Sequence, residues 1–73
     1  MFTPEEKEII CVSLNMRSNY IQTGSISLSP LDVHRIGAEH AKREFNAEIK
    51  PLSIEQMDLI VKTDRLMKKI LNS

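Results

Sequence analysis

The first helix of this chain is predicted to end, and the second to begin, in the stretch LNMRSNYIQTGSISLSP, residues 14–30. Apolar residues recur at helical spacing up to Ile21, and Gly24 then supplies a residue that readily forms a left-handed C-terminal cap. After a serine-rich loop, Ser29 suits the N-cap position of a new helix and Pro30 suits its first turn. This segment therefore predicts two helices joined by a short loop.

Start signals of the same kind occur at two other places. Thr3 and Glu6 form a Thr-x-x-Glu capping box, and Ser53 and Gln56 form the equivalent Ser-x-x-Gln box. We therefore expect an all-α fold, a single small three-helix domain spanning residues 1–73. The predicted helices cover residues 4–23, 30–45 and 54–71.

The middle helix contains a weak point at Gly37. A glycine inside a helix costs about 1 kcal/mol relative to alanine. We favour one continuous helix through this glycine, and the alternative is a short helix ending at Ile36 with a second piece after it. In the linker that follows, Ile49 is expected to reach the core.

Composition excludes several classes of protein. The chain has 73 residues, with ten basic and ten acidic side chains, and a formal net charge of zero argues against tight non-specific binding to nucleic acid. Its one cysteine, Cys11, is expected to be a small buried apolar residue. The N-terminal residues lack the pattern of a signal peptide, and no apolar run approaches the ~20 residues of a membrane span. We expect a soluble, cytoplasmic protein without a cofactor.

The apolar arcs of the first and last helices are wide. On a helical wheel each arc covers roughly 200°, whereas an ordinary surface helix needs an apolar face of about 100°. Because large exposed apolar patches usually mark interfaces, we expect self-association, most simply as a two-fold dimer. The alternative is a monomer with some exposed apolar side chains. The predicted oligomer interface comprises Ile9, Val12, Met16, Ile60, Met67 and Leu71, together with Asp64.

Asp64 is the one acidic residue that falls inside an apolar arc. A carboxylate in that position needs a cationic partner, and Arg17 interrupts the apolar arc of the first helix. We therefore predict an ion pair between Asp64 and Arg17. Such pairs fix register and partner choice more than they add stability.

Short polar side chains cluster near the end of the first helix. Asparagine and serine are poor interior helix formers, so their use there suggests a surface that hydrogen-bonds a partner at low cost in side-chain entropy. The alternative is a frayed helix end. The predicted binding surface comprises Asn15, Arg17, Ser18, Asn19, Tyr20 and Gln22.

No residue pattern indicates catalysis or metal binding. His34 and His40 are six positions apart, so they project in different directions from a helix. We predict neither an enzyme nor a metal site. Lys62, Arg65 and Lys69 share one side of the last helix, which is either a solvated face or a contact for an acidic partner or a nucleic-acid backbone.

Four segments carry a resemblance to a known class of proteins: FTPEEKEII, LNMRSNYIQTG, LSPLD and PLSIEQMDLI. Together they resemble small, uncharacterised accessory proteins encoded by large tailed bacteriophages. The resemblance covers most of the chain except the stretch AEHAKREFNAE. It implies a small host-directed or regulatory binding protein without enzymatic activity, acting in the host cytoplasm.

Three functional hypotheses follow. The first is a self-associating helical module that binds and modulates a host or phage protein. The second is a small helix-turn-helix-like DNA-binding regulator, with Gly37 at the turn and Lys42 and Arg43 after it, although zero net charge argues against it. The third is an oligomer that holds a small ligand around Arg17 and Tyr20.

Overall fold

A computed structural model describes all 73 residues, and every regular element in it is a helix. The predicted all-α fold is confirmed, and the first and last helices have the predicted boundaries. The structure contains four helices rather than three. They are α1 (Pro4–Thr23), α2 (Pro30–Ile36), α3 (Ala38–Phe45) and α4 (Ile54–Leu71).

Three of the four helices begin with a complete capping box. In each box the side chain of the capping residue accepts a hydrogen bond from the backbone N–H three residues later, and that later side chain accepts one from the backbone N–H of the capping residue. Two backbone donors that the helix leaves unpaired are satisfied at each start. The three boxes are Thr3 with Glu6, Ser29 with Asp32, and Ser53 with Gln56.

Two of these boxes contain carboxylates, and the hydrogen bonds change their acidity. The backbone N–H of Thr3 lowers the pKa of Glu6, and the backbone N–H of Ser29 lowers the pKa of Asp32. Because the pKa is lower in the folded state, each carboxylate stabilises the fold above its unfolded pKa of about 4. That contribution is lost as the pH falls through the lower, folded pKa.

The helix predicted to run through Gly37 is broken there. Gly37 has φ 95° and ψ 141°, which is incompatible with a helix and which residues with a side chain rarely adopt. Its N–H still donates to the carbonyl of Val33 at 3.0 Å, and its own carbonyl accepts from the N–H of Ala41 at 3.0 Å. The continuous helix that we favoured is therefore wrong, and the glycine joins two short helices without losing either bond.

This geometry makes Gly37 sensitive to substitution. A Cβ added at Gly37 would meet no atom within 4 Å, so Gly37→Ala introduces backbone strain without a steric clash. We expect a loss of about 1 to 2 kcal/mol in the free energy of unfolding, measured by urea denaturation. His34→Ala, at an exposed position of α2, is the control and is expected to change stability by less than about 0.5 kcal/mol. A Gly37→Ala variant as stable as the parent would show that residue 37 can adopt a different backbone conformation between α2 and α3 without loss of stability.

Helices α1 and α4 form an antiparallel pair. Near the start of α1, the Cys11 thiol lies 4.0 Å from the carbonyl oxygen of Met67, close to the end of α4. Cys11 is half-buried at this contact rather than fully buried as expected. The apolar side chains that are half-buried on these two helices are Ile10, Leu14 and Ile21 of α1 and Leu59, Ile60 and Met67 of α4.

A second, smaller core lies beside the α2–α3 junction. Val33, Ala41 and Ala47 are almost completely buried and pack together, and the half-buried Leu28 packs against them. Leu28 precedes the Ser29 cap and Val33 is the fourth residue of α2, so the packing of Leu28 against this core fits the hydrophobic-staple pattern at the start of α2. These short helices are therefore held by a few well-packed small side chains.

Backbone hydrogen bonds attach the segment after α3 to the end of α1. The N–H of Glu48 donates to the carbonyl of Thr23 at 2.8 Å, and the N–H of Lys50 donates to that of Gln22 at 3.3 Å. Ile49, between them, is exposed. The expectation that Ile49 reaches the core is wrong, and Ala47 is the residue of this segment that is buried.

The chain exposes an unusually large surface. Only eight of its 73 residues are buried, and the Cα atoms span 42 × 27 × 15 Å, so the molecule is a thin slab. Its accessible surface is 5589 Å², whereas a folded monomer of 8.4 kDa is expected to expose about 4,600 Å². The excess is about 1,000 Å², and sixteen large apolar side chains are exposed.

Candidate functional site

A row of apolar side chains on α1, here called the α1 stripe, lies open to solvent. Ile9, Val12, Met16 and Tyr20 are 60%, 50%, 40% and 61% exposed. Their spacing places them on one side of the helix. Cys11, which contacts α4, projects from almost the opposite side, so α4 leaves the α1 stripe uncovered.

Helix α4 carries a second exposed row, here called the α4 stripe, formed by Ile54, Met57 and Val61. The Asp64 carboxylate interrupts this side of the helix and lies 3.1 Å from the Lys68 ammonium, one turn further on. The predicted ion pair between Asp64 and Arg17 is therefore wrong within the chain. A partner at i+4 on the same helix satisfies the carboxylate without another element.

The structure separates the predicted interface residues into two groups. Ile60 and Met67 are half-buried, so part of their surface is already used within the chain. The remaining apolar residues are exposed, and three of them belong to the α1 stripe. The exposed members are Ile9, Val12, Met16 and Leu71.

The polar residues near the end of α1 do not form one exposed surface. Ser18 and Asn19 are 7% and 6% exposed, and Gln22 is half-buried. The Asn19 amide donates to the carbonyl of Ile26 at 3.3 Å, and the Gln22 amide donates to that of Ser18 at 3.3 Å. Ser18 and Asn19 are therefore not available to a partner, and the helix end is hydrogen-bonded rather than frayed. Asn15, Arg17 and Tyr20 of the predicted binding surface remain exposed.

Thr23 is the residue at this helix end that sequence reasoning missed. Its side chain is fully buried, and its Oγ1 lies 2.8 Å from the carbonyl oxygen of Leu28 and 2.9 Å from that of Asn19. The same oxygen accepts a hydrogen bond from the N–H of Ser25 at 3.2 Å. Thr23 thus fixes the loop between α1 and α2. Its position directly before the Gly24 cap is the only signal of this role in the sequence.

The predicted basic face of α4 is exposed, as its spacing required. Lys62, Arg65 and Lys69 are all exposed to solvent. The Lys62 ammonium lies 2.9 Å from a carboxylate oxygen of Asp58, and this hydrogen bond raises the pKa of Lys62. Part of the positive charge is therefore neutralised within the chain, while Arg65 and Lys69 make no ion pair.

One groove lies beside the α2–α3 junction and has a volume of about 350 Å³. Ligand sites in proteins usually occupy about 300–1,000 Å³, so this groove is near the lower limit. Neither Arg17 nor Tyr20, the residues around which a small ligand was expected, lines it. Its lining residues are Val33, Ala38, Glu39, Lys42, Glu48 and Ile49.

The α2–α3 unit differs from a DNA-binding helix-turn-helix. Gly37 alone connects the two helices, whereas that motif uses a turn of about three to four residues. The cations expected to face DNA also lie near acids. Lys42 is 4.0 Å from Glu48, and Arg43 is 3.6 Å from Glu44.

Comparison with known proteins identifies no relative: no protein family, curated protein or solved structure matches this chain. None of the helices combines the length and apolar character needed to cross a membrane. No group of three or more His, Cys, Asp and Glu side chains is arranged to hold a metal ion. The α1 stripe and the α4 stripe are exposed apolar rows on the two long helices of the chain.

Proposed function

We propose that this protein is a non-enzymatic helical interaction module that self-associates and binds another protein. The observation that carries this proposal is the α1 stripe, four large apolar side chains in one row that no other part of the chain covers. Leaving such a row in water is costly, since each buried large apolar side chain gains about 1.5–3 kcal/mol. A protein surface that covers the row recovers this free energy.

The second contact surface in the proposal is the α4 stripe. Arg65 lies one helical turn beyond Val61, so the stripe is bordered by a cation without a partner in the chain. A matching partner would present apolar side chains next to carboxylates. We propose a host or phage protein with such a surface, met in the host cytoplasm if the chain is phage-encoded.

The α1 stripe is tested by placing charges in it. Val12→Glu combined with Met16→Glu is expected to raise the dissociation constant of self-association by at least about 100-fold, because two carboxylates per copy would be buried without partners. Sedimentation equilibrium measures this constant. The matched control is Asn15→Glu combined with His40→Glu, which adds the same charge at exposed polar positions outside the stripe.

The control variant is expected to associate like the parent to within a few-fold. Circular dichroism shows whether each variant retains its helices. If the Val12–Met16 double variant kept its helices and associated as tightly as the parent, the α1 stripe would not be the interface.

A further inference from the structure

The surplus exposed surface of the chain is about the area that one interface with a second copy would bury. The stripe extends over about 16 Å of helix from Ile9 to Tyr20. The chain exposes about 1,000 Å² more than a monomer of its mass should, and a standard interface buries about 800 Å² from each partner. One interface of ordinary size would therefore remove the excess.

We propose that the α1 stripe is covered by the α1 stripe of a second copy, packed antiparallel about a two-fold axis. This inference rests on the proposed function and names the partner and geometry of its self-association. The axis passes near the midpoint of the stripe, so Ile9 faces the second copy's Tyr20 and Val12 faces the second copy's Met16. Two α1–α4 pairs then lie side by side, with the two α1 helices at the centre and the two α4 helices on the outside.

Charges at the two ends of α1 select the antiparallel arrangement. Glu5 lies one turn before Ile9, in line with the stripe. Parallel packing would place the Glu5 carboxylates of the two copies side by side, and such like-charge contacts are costly. Antiparallel packing instead brings each Glu5 to the Gly24 end of the other α1.

A cation lies at that end. The Lys50 ammonium is 3.1 Å from the point that a Cβ on Gly24 would occupy. Neither Lys50 nor Glu5 makes an ion pair within its own chain. The antiparallel dimer therefore places two complementary pairs at its rim, each formed by Glu5 of one copy and Lys50 of the other.

Charge reversal tests this pairing. Glu5→Lys alone and Lys50→Glu alone each turn both attractive pairs of a homodimer into repulsive ones, and each is expected to weaken association roughly tenfold at low salt. In a 1:1 mixture of the two variants, the heterodimer has both pairs attractive again. We expect the mixture to associate about as tightly as the parent, as measured by sedimentation equilibrium.

Mixing the two variants distinguishes a contact between copies from an effect within one chain. A loss of helix stability caused by either substitution would persist in the heterodimer, whereas a repulsive contact between copies would not. Lys69→Glu is the matched control: it makes the same charge change on the exposed face of α4 and is expected to leave association unchanged.

Weakening by Glu5→Lys but not by Lys50→Glu would overturn the antiparallel arrangement. A mixture no tighter than the single variants would overturn it as well, while self-association itself would stand. A parent chain that is monomeric at all concentrations would overturn both the inference and the proposed self-association.

Discussion

Thr23→Val is expected to lower the free energy of unfolding by about 2 to 3 kcal/mol. Valine has nearly the shape of threonine, but it removes a hydroxyl that is fully buried. The N–H of Ser25 then loses its acceptor, and the carbonyl of Leu28 loses a donor 2.8 Å away.

A matched substitution on α4 distinguishes this effect from the general cost of replacing a buried threonine. Thr63 is 6% exposed, and its hydroxyl donates only to the carbonyl of Leu59 at 2.7 Å. That carbonyl lies one turn back in the same helix, where it also accepts a backbone N–H. Thr63→Val is therefore expected to change stability by less than about 0.5 kcal/mol. Equal losses in the two variants, measured by urea denaturation, would contradict the role assigned to Thr23.

Val33→Ala is expected to lower the free energy of unfolding by about 2 kcal/mol. Val33 is 2% exposed and is the largest member of a core whose other buried residues are Ala41 and Ala47. The substitution leaves a cavity, and backbone hydrogen bonds hold the segment after α3 so that it does not move in to close the cavity. The neighbouring side chains of Ala41 and Ala47 are too small to fill it. For a chain of this size, total stability is about 4–11 kcal/mol, so the loss is a substantial fraction.

The matched control for Val33→Ala is Val61→Ala. Val61 is 47% exposed on α4, so the same two methyl groups are removed from a site already in contact with water. We expect a loss below about 0.5 kcal/mol in thermal or urea denaturation at protein concentrations where the chain is monomeric. A similar loss at both valines would show that the small core beside the α2–α3 junction is not a specific stabilising unit.

The helix starts were predictable from sequence because a capping box is local. A hydroxyl and a carboxylate or amide three residues apart satisfy the same two backbone donors wherever the helix lies in the fold. The boxes of Thr3, Ser29 and Ser53 therefore form as their sequences indicate. The boundaries of α1 and α4 follow from the first and last of these boxes together with the Gly24 cap.

Gly37 shows where local reasoning fails. The penalty for a glycine inside a helix is about 1 kcal/mol, too small to decide between a continuous and a broken helix. A tertiary contact favours the break: Val33 and Ala41 are both buried against Ala47, which belongs to the segment after α3. That contact is not visible in the periodicity of the helix itself.

The polar end of α1 was misread for a related reason. The helical wheel grouped Asn15, Ser18, Asn19 and Gln22 correctly by direction, but direction does not reveal what lies opposite. The α1–α2 loop returns to this side, and its carbonyls at Ile26 and Leu28 need donors, which Asn19 and Thr23 supply. Buried backbone polar groups need hydrogen-bond partners, and here short polar side chains of α1 provide them. Asp64 was misassigned for a different reason: Lys68 follows it by four residues, a spacing at which side chains of one helix meet, and Lys68 forms the ion pair that was assigned to Arg17.

The central claim is that the exposed apolar surface of α1 exists to be covered by a second copy of the chain. The measurement that tests it most directly is the solution mass of the parent protein by light scattering, over a wide range of concentrations. We predict a mass that rises with concentration and reaches twice the 8.4 kDa of the single chain. A mass that stays at 8.4 kDa throughout would contradict the claim and would leave the α1 stripe as a docking surface for a different protein.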